Sequence, residues 1–477
     1  MLFNEKELSE ECGVFGIWGA ESSQYLTYLG LHSLQHRGQE SAGIVCNDSG
    51  KLQGYRNLGL LSQVFDKPEY LERLSGNSAI GHVRYSTAGE NKIENVQPLF
   101  FDFSNEQFAL AHNGNLTNAI TLKKKLEQVG DIFISSSDSE ILMHLIRHSK
   151  KKLFEDKIKD ALKQIQGGFA YVLLTKGSLI VALDSHGLRP LSIGKLPEGG
   201  YAVASETCAL DAVSAEFVRD VQPGELIIIN DDGMKIDHWT NDTKMAICSM
   251  EYIYFARPDS NILGVNVHIS RKKMGINLAK EKPVAADIVV GIPNSSLPAA
   301  SGYAEASGLP YEMGLIKNQY MGREFIQPNQ SLREKSVRQK LAAVRSVIKG
   351  KKVVLVDDSI VRGTTCAYIV QLLKDAGAIE VHLRVASPPF KYPSFYGIDI
   401  QDSKELIAAQ KTKEEMRQQF GADSLEFLSE KGLISAIGLN FDTPYQGLDL
   451  SYFNGDYPTP LYDYEEKVSK DLKIGKE

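Results

Sequence analysis

Cysteine is scarce in this sequence, and the few present are poorly placed for a framework. Five are scattered over the 477 residues (Cys12, Cys46, Cys208, Cys248 and Cys366), an odd number with no C-x-x-C pair. That spacing argues against a disulfide scaffold and a zinc ribbon, and a reducing cytoplasm is the simplest home. Long apolar runs are missing too, since none approaches the ~18–20 residues that span a bilayer. The first residues have neither a basic segment nor an apolar core, so no secretory signal is expected. Positive charge is not in excess: the formal net charge is −7. A generally basic nucleic-acid binder is not expected, and neither nucleic acid nor membrane is an expected partner. The composition that remains, 43% hydrophobic and 24% charged, is that of a soluble globular protein. The chain is too long for one ordinary core, so two domains are expected.

The two halves differ in texture. Residues 12 to about 245 read as short apolar runs between turns: CGVFGIWG, SAGIVC, AIGHVRYST, FALAHNGN, FAYVLLTKGSLIVALD, YAVAS and GELIIIN. These suit strands of a mainly antiparallel system with helices interspersed. One helix is expected over Ser139 to Lys151, where Ile141, Leu142, Leu145 and Ile146 share a face. The half reads as an α+β domain of layered sheets and helices.

After about residue 258 the rhythm becomes strand, loop, helix. Ala286–Val290 passes into Gly291-Ile292-Pro293-Asn294-Ser295-Ser296 and an alanine-rich helix that stops near Gly308. Val353–Val356 passes into Asp357-Asp358, a polar loop and a helix from Cys366 to Ala376 with Gly377 at its end. Val381–Val385 is the next strand. Such units build a parallel, doubly wound α/β sheet with ligands at the carboxyl ends of its strands. From about Lys404 the chain reads as helical and charged, with a frayed end. The expected division is 1–11, 12–245, 258–405 and 406–477.

KKVVLVDDSIVRGTT is the most informative stretch of the second half. Four apolar residues make a buried strand that presents two carboxylates at its tip. Adjacent side chains on a strand point oppositely, so Asp357 and Asp358 need not meet one ligand. They suit ribose hydroxyls, or a magnesium ion through its waters. Ser359, Ile360, Val361, Arg362, Gly363, Thr364 and Thr365 can wrap N–H groups and hydroxyls around a phosphate at the following helix N-terminus. Neither a Walker A loop nor a G-x-G-x-x-G is present. The stretch resembles the 5-phosphoribosyl-1-pyrophosphate (PRPP) signature of type I phosphoribosyltransferases. The resemblance implies that Asp357 and Asp358 hold the ribose and help organise Mg-PRPP, and that the 359–365 loop cradles the 5′-phosphate. It also places Gly291–Ser296 as the pyrophosphate loop, with Ser295 beside the Mg2+ and Lys317 on PRPP. The basic segment YMGREFIQPNQSLREKSVRQKL between them would be a flap that closes over the substrate.

The first half concentrates LHSLQHRGQESAG, GHVRYSTAG, LAHNGNL and SSSDSEIL. Singly each has a structural explanation, and Asn113-Gly114 alone reads as a hairpin turn. In this order, behind Cys12-Gly13-Val14-Phe15-Gly16-Ile17, they look like the glutaminase domain of class II amidotransferases, which are N-terminal-nucleophile hydrolases built on sandwiched antiparallel sheets. Joined to a PRPP-binding domain, the whole resembles the glutamine PRPP amidotransferases from about Cys12 to about Ser429. The resemblance implies the first committed step of purine synthesis, forming 5-phosphoribosylamine, glutamate and pyrophosphate from PRPP, glutamine and water. Cys12 would be the nucleophile, freed by loss of an eleven-residue propeptide. Asn113 and Gly114 would hold the oxyanion, Arg84 and Asp138 the amino-acid end of glutamine, and Arg37 would sit beside the nucleophile. A sugar-phosphate or asparagine-forming amidotransferase is disfavoured by the DDSIVRGTT loop. A silent PRPP sensor is disfavoured by the intact glutaminase motifs.

One subgroup of that family also carries a [4Fe-4S] cluster on four cysteines, and the leader, SEECGVFGIWG and AICSMEYIYFARPDS resemble it. Only Cys248 of the four is present, with Ser394 in the place of another. One thiolate does not hold a cubane, so no cluster is expected, and Cys248 is expected to be a plain buried thiol. Tyr445, Tyr452 and Phe453 are candidates for the packing that replaces it. Feedback by purine nucleotides and a homotetramer or dimer are implied by the resemblance alone.

Overall fold

Alternation in GVFGIW sets the first layer. The computed structural model describes residues 12–85, 92–103, 106–318, 341–397 and 402–474. Strand β1 (Gly13–Trp18) turns Val14 and Trp18 into an apolar interior shared by two sheets, and Phe15 and Ile17 to the opposite face. Its neighbours are an antiparallel strand, β2 (Ser78–Arg84), and Tyr201–Ala204. They belong to a seven-stranded sheet. The facing sheet has six strands, among them β3 (Glu106–Leu116) and β4 (Gly167–Thr175), paired antiparallel. Val172, Leu174, Val181 and Ile227 of that sheet meet Val14, Val45 and Ile80 of the first. Helix α1 (Ser23–Ser33) and Thr207–Ala212 cover one outer face, and α2 (Ser139–His148) with Phe154–Leu162 cover the other. The order helix, sheet, sheet, helix is the expected α+β sandwich.

Helix α2 buries Ile141, Leu142, Leu145 and Ile146 as its pattern requires, but ends three residues early. Ser149 is extended and its hydroxyl donates to Asp160 at 2.6 Å, and the three lysines that follow have no apolar face to dock. Asn113 and Gly114 also depart from the local expectation. They lie inside β3, opposite Ala170 and Phe169, and make no turn.

In the second half, β5 (Ile288–Gly291), β6 (Lys352–Asp357), β7 (Glu380–Val385) and β8 (Ser424–Phe427) form a parallel sheet in chain order. Val354 and Val356 pack beneath α3 (Val267–Glu281) and α4 (Leu297–Ser307). Val353 and Leu355 pack beneath α5 (Thr364–Asp375) on the other face, so the sheet is doubly wound. Strand β8 falls where the sequence reads as helical. Its alternation, Leu425 and Phe427 buried between Ser424 and Glu426, is only four residues long and lies between two charged helices.

The halves meet along a seam. Ile247–Cys248 pairs in parallel with Leu448–Asp449, bringing the late chain back to the connection. Asn115 donates to the Phe395 carbonyl at 2.8 Å, and Arg189 Nε to that of Tyr396 at 2.9 Å. Leu188, Phe395, Tyr396, Leu461 and Val468 form a small core beneath these bonds. Among the described residues no helix is long and apolar enough to cross a membrane.

Candidate active sites

Cys12 immediately precedes β1 and is 7% exposed. Its thiol donates to the Tyr85 carbonyl at 3.4 Å. Burial pushes the Cys12 thiol up, and the Arg84 charge and the Tyr85 contact only partly oppose this. A thiol so placed is protonated at neutral pH and needs a base to react. Arg84, at the end of β2, and Asp138, which precedes α2, both lie within electrostatic reach of the sulfur. Asp138 Oδ2 accepts from the Leu116 N–H at 2.9 Å, and Oδ1 lies 3.6 Å from His112 Nδ1. Burial works against its charge, but His112 and the Leu116 and Ser139 amides hold its carboxyl below the usual range. Asp138 is therefore an anion, suited to an ammonium group.

His82 of β2 bonds through Nε2 to the His112 carbonyl at 2.9 Å, which ties the two sheets together one residue before Asn113. Asn113 is 1% exposed, and its Nδ2 has no hydrogen-bond partner among the described residues. A buried amide donor left open is costly unless a ligand takes it. Gly114 follows with φ +138°, and a Cβ there would lie 2.1 Å from the Gly168 carbonyl oxygen. Only glycine fits that close approach of strands.

Arg37 is fully buried. Its Nε donates to the Cys12 backbone carbonyl at 3.2 Å. Two glutamates hold it: Nη1 reaches Glu206 and Glu251 at 2.8 Å each, and Nη2 reaches Glu251 at 2.7 Å. Burial opposes the Arg37 charge, and Glu251 and Glu206 more than compensate.

The second site lies where β5 and β6 end side by side, Gly291 level with Val356. This register sets Gly291–Ser296 against the loop that follows Asp357. Asp357 and Asp358 are 9% and 7% exposed. The Asp358 N–H donates to Asp357 Oδ1 at 3.0 Å, Ser359 Oγ to Asp358 at 2.9 Å, and Cys366 Sγ to Asp357 at 3.3 Å. Ser295 also hydrogen-bonds Asp358. Burial, and then the charge of its neighbour, push Asp357 up; burial also raises Asp358, with Ser295, Ser359 and Arg271 pulling it back. Two crowded carboxyls and a serine hydroxyl are hard oxygen donors that suit Mg2+ shared with substrate phosphates. Gly363, at φ +78°, caps α5; a Cβ there would meet the Phe420 ring at 2.6 Å. Beyond it Thr364 and Thr365 begin a twelve-residue helix whose N–H groups are open to an anion.

Other expected ligands of this loop are placed differently. The Ile360 side chain is in the core and Val361 packs against the other apolar cluster, leaving backbone groups as their contribution. The Arg362 guanidinium pairs with Glu405. Lys317 is exposed at the end of the short strand Leu315–Lys317, opposite Leu341. The flap expected over 320–341 lies, except for Leu341, outside the described residues, as do the leader 1–11 and the end of GHVRYSTAG.

Cys248 is buried, and its sulfur lies 2.9 Å from the Tyr452 hydroxyl. Burial pushes this thiol up to about 11. Tyr452 and Phe453 pack on Phe390, with ring centroids 5.7 and 5.1 Å away, as expected of the replacement packing. Tyr445, half-buried, packs against the same apolar cluster and donates to Asp456 at 3.0 Å. The donor set of one protonated thiol and a phenol does not fit an iron–sulfur cluster.

Glu206, Glu251, Arg271 and Cys366 have no role in the sequence reading. A signal for one existed: Glu251 is the only charge in the run AICSMEYIYFA, and a carboxylate in an apolar run must be paired.

A sandwich that opens on a buried cysteine, joined to a doubly wound sheet with two acidic residues in its phosphate loop, defines a two-part enzyme of the glutamine amidotransferase class. Residues 82–212 match the glutamine amidotransferase domain family and residues 268–387 the phosphoribosyl transferase domain family. The chain is 57% identical over 472 residues to amidophosphoribosyltransferase of Staphylococcus aureus, covering 99% of this chain and 95% of that protein. It is 56% identical over 463 residues to the Bacillus subtilis amidophosphoribosyltransferase, covering 97% of each. It also resembles the solved glutamine PRPP amidotransferase of B. subtilis complexed with ADP and GMP (TM-score 0.91, 55% identity, 94% of this chain and 98% of that one). The chain belongs to the amidophosphoribosyltransferase family, enzymes of the first step of purine biosynthesis.

Proposed function

We propose that Cys12, once residues 1–11 are removed, hydrolyses glutamine and that the released ammonia displaces pyrophosphate from PRPP. The observation that carries this reading is the Asn113 amide, a buried donor with no hydrogen-bond partner among the described residues, in the sheet that faces the strand following the buried Cys12 thiol. The freed α-amine of Cys12, titrating near ~8, takes the thiol proton. The sulfur adds to the carboxamide carbon while Asn113 Nδ2 and the Gly114 N–H receive the developing oxyanion, and ammonia leaves as the C–N bond breaks. Water then cleaves the thioester to glutamate. Arg84 holds the substrate carboxylate and Asp138 its ammonium group. In the second site, Mg2+ held at Asp357, Asp358 and Ser295 would supply charge to the departing pyrophosphate. Asp357 and Asp358 hold the ribose, the 359–365 loop binds the 5′-phosphate, and Lys317 meets PRPP from the ribbon. Ammonia attacks C1 as the bond to pyrophosphate breaks.

The domain limits proposed are 12–245 and 258–405, with 406–477 as a tail that packs on both. No iron–sulfur cluster is proposed, because the place around Cys248 is filled by Tyr452, Phe390 and Phe453. By likeness to the B. subtilis protein solved with ADP and GMP, purine nucleotides are the proposed inhibitors. A homo-oligomer, a cytoplasmic location and coupling of glutaminase turnover to bound PRPP complete the reading. Replacing Cys12 with alanine should abolish glutamine-dependent phosphoribosylamine formation and spare the reaction fed with ammonium salts. Loss of both would overturn the assignment. Intact mass should show a mature chain beginning at Cys12, and an active chain beginning at Met1 would sink the amine mechanism.

A further inference from the structure

Glu251 belongs to the segment that connects the two halves, yet it supplies both oxygens to a residue bound to the nucleophile. Its carboxylate grips Arg37 through two bonds of 2.7 and 2.8 Å, and Arg37 Nε holds the Cys12 carbonyl at 3.2 Å. Both side chains are fully buried. The grip is specific in direction, because a bidentate guanidinium–carboxylate pair fixes the plane of the guanidinium and so where its remaining N–H points. Glu206 shares the Arg37 load but is itself committed elsewhere: to His36 at 2.7 Å, the Arg257 N–H at 2.9 Å and Ser260 Oγ at 2.7 Å.

Glu251 is in turn anchored from the second half. It opens a π-helical turn, Glu251–Phe255, with Arg189 Nη1 at 4.0 Å from its carboxylate. Arg271 of α3 donates Nε to the Tyr252 carbonyl and Nη2 to the Ala256 carbonyl, both at 2.8 Å. These bonds pin the turn at its start and just beyond its end. The same guanidinium is in electrostatic contact with Asp358.

We propose that Glu251 is a positioning residue for glutamine hydrolysis, acting through Arg37 to hold the Cys12 backbone so that its sulfur and α-amine meet the amide carbon. The inference rests on the glutaminase reading given above. Glu251 touches neither substrate nor sulfur, so its loss should leave glutamine binding at Arg84 and Asp138 intact and misplace the attacking group. Displacement of a reacting atom by about 1 Å typically costs about 100-fold in rate.

In the full-length mature enzyme, Glu251→Gln keeps the shape and removes the charge. The expected result is a glutaminase kcat lower by about 30- to 100-fold, a glutamine KM changed less than about twofold, and ammonia-dependent synthesis retained. Labelling of Cys12 by a glutamine-like chloroketone should slow in parallel with kcat. Glu251→Asp, which keeps the charge with a shorter reach, should show the same split with a smaller loss and decides the matter if the glutamine variant is insoluble. A loss carried by KM, a loss shared equally by the ammonia reaction, or no loss overturns the inference. Cys12→Ala run alongside separates the two ideas. If it keeps glutamine turnover, the glutaminase reading itself fails; if it is dead while the Glu251 variants are fully active, only the positioning role fails.

Discussion

Arg37, Glu206, Asp138 and His112 near Cys12 are all tied to other side chains or backbone groups, whereas the carboxyls of Asp357 and Asp358 press on each other. The first site has its geometry set by two hydrogen-bonded sheets and a buried ion cluster. What it wants chemically is a base, and removal of the leader would supply one. The second is built on the ends of two parallel strands, with raised acids awaiting positive charge. On the reading proposed above, one chain would complete two active sites by different means: a covalent cut for the site of rigid hydrogen bonds, and ligand binding for the site of crowded charges.

The sharpest test of that contrast is a crossed pair of substitutions. Asn113→Ala should lower glutaminase kcat by about 10²–10³, roughly 3–4 kcal/mol, with ammonia-fed synthesis untouched. Steady-state assays with each nitrogen source would show it, and equal losses would break the comparison. Asp358→Asn should do the reverse, lowering kcat/KM for PRPP by about 10- to 100-fold with either nitrogen source, as expected for a lost charged hydrogen bond.

A smaller effect tests the joint between the sites. Burial pushes Asp449, beside Cys248, up to about 6. A carboxyl raised above its unfolded value contributes stability that is complete below about pH 4. That contribution is lost as pH rises through about 6. Asp449→Asn should therefore flatten the pH dependence and gain about 1.4 kcal/mol on the wild type between pH 5 and pH 8, read as the difference in urea midpoints at those two pH values. The smallest expected change is Tyr452→Phe, which removes the bond to the Cys248 sulfur. It should cost about 1 kcal/mol in chemical unfolding and leave both activities in place.

Much of this was readable before any fold was known, for reasons that differ by region. The phosphate loop is local: strand, carboxylates, Gly363 and helix are contiguous, so one segment carries the whole device. The glutaminase groups are distant in sequence, and only their order as motifs made them legible. Asn113-Gly114 shows the limit, since a pair that favours turns by local preference is held straight by β4 and packed on Gly168. Strand β8 was hidden by its length. Glu206, Glu251 and Arg271 were invisible as a group because burial and pairing of charges are tertiary facts, and the partners named above lie 15 or more positions away in the chain.

The bonds from Asn115 to the Phe395 carbonyl and from Arg189 to that of Tyr396 have a consequence for anyone who would treat the halves as cassettes. A first half expressed alone would lose the carbonyls that accept from the Asn115 amide, one residue from Gly114, and from the Arg189 guanidinium. Grafted onto another synthase, it would need foreign backbone carbonyls at the same two points. Recombination between relatives should therefore succeed where the 395–397 segment travels with the glutaminase sandwich, although it lies some 150 residues beyond the apparent boundary.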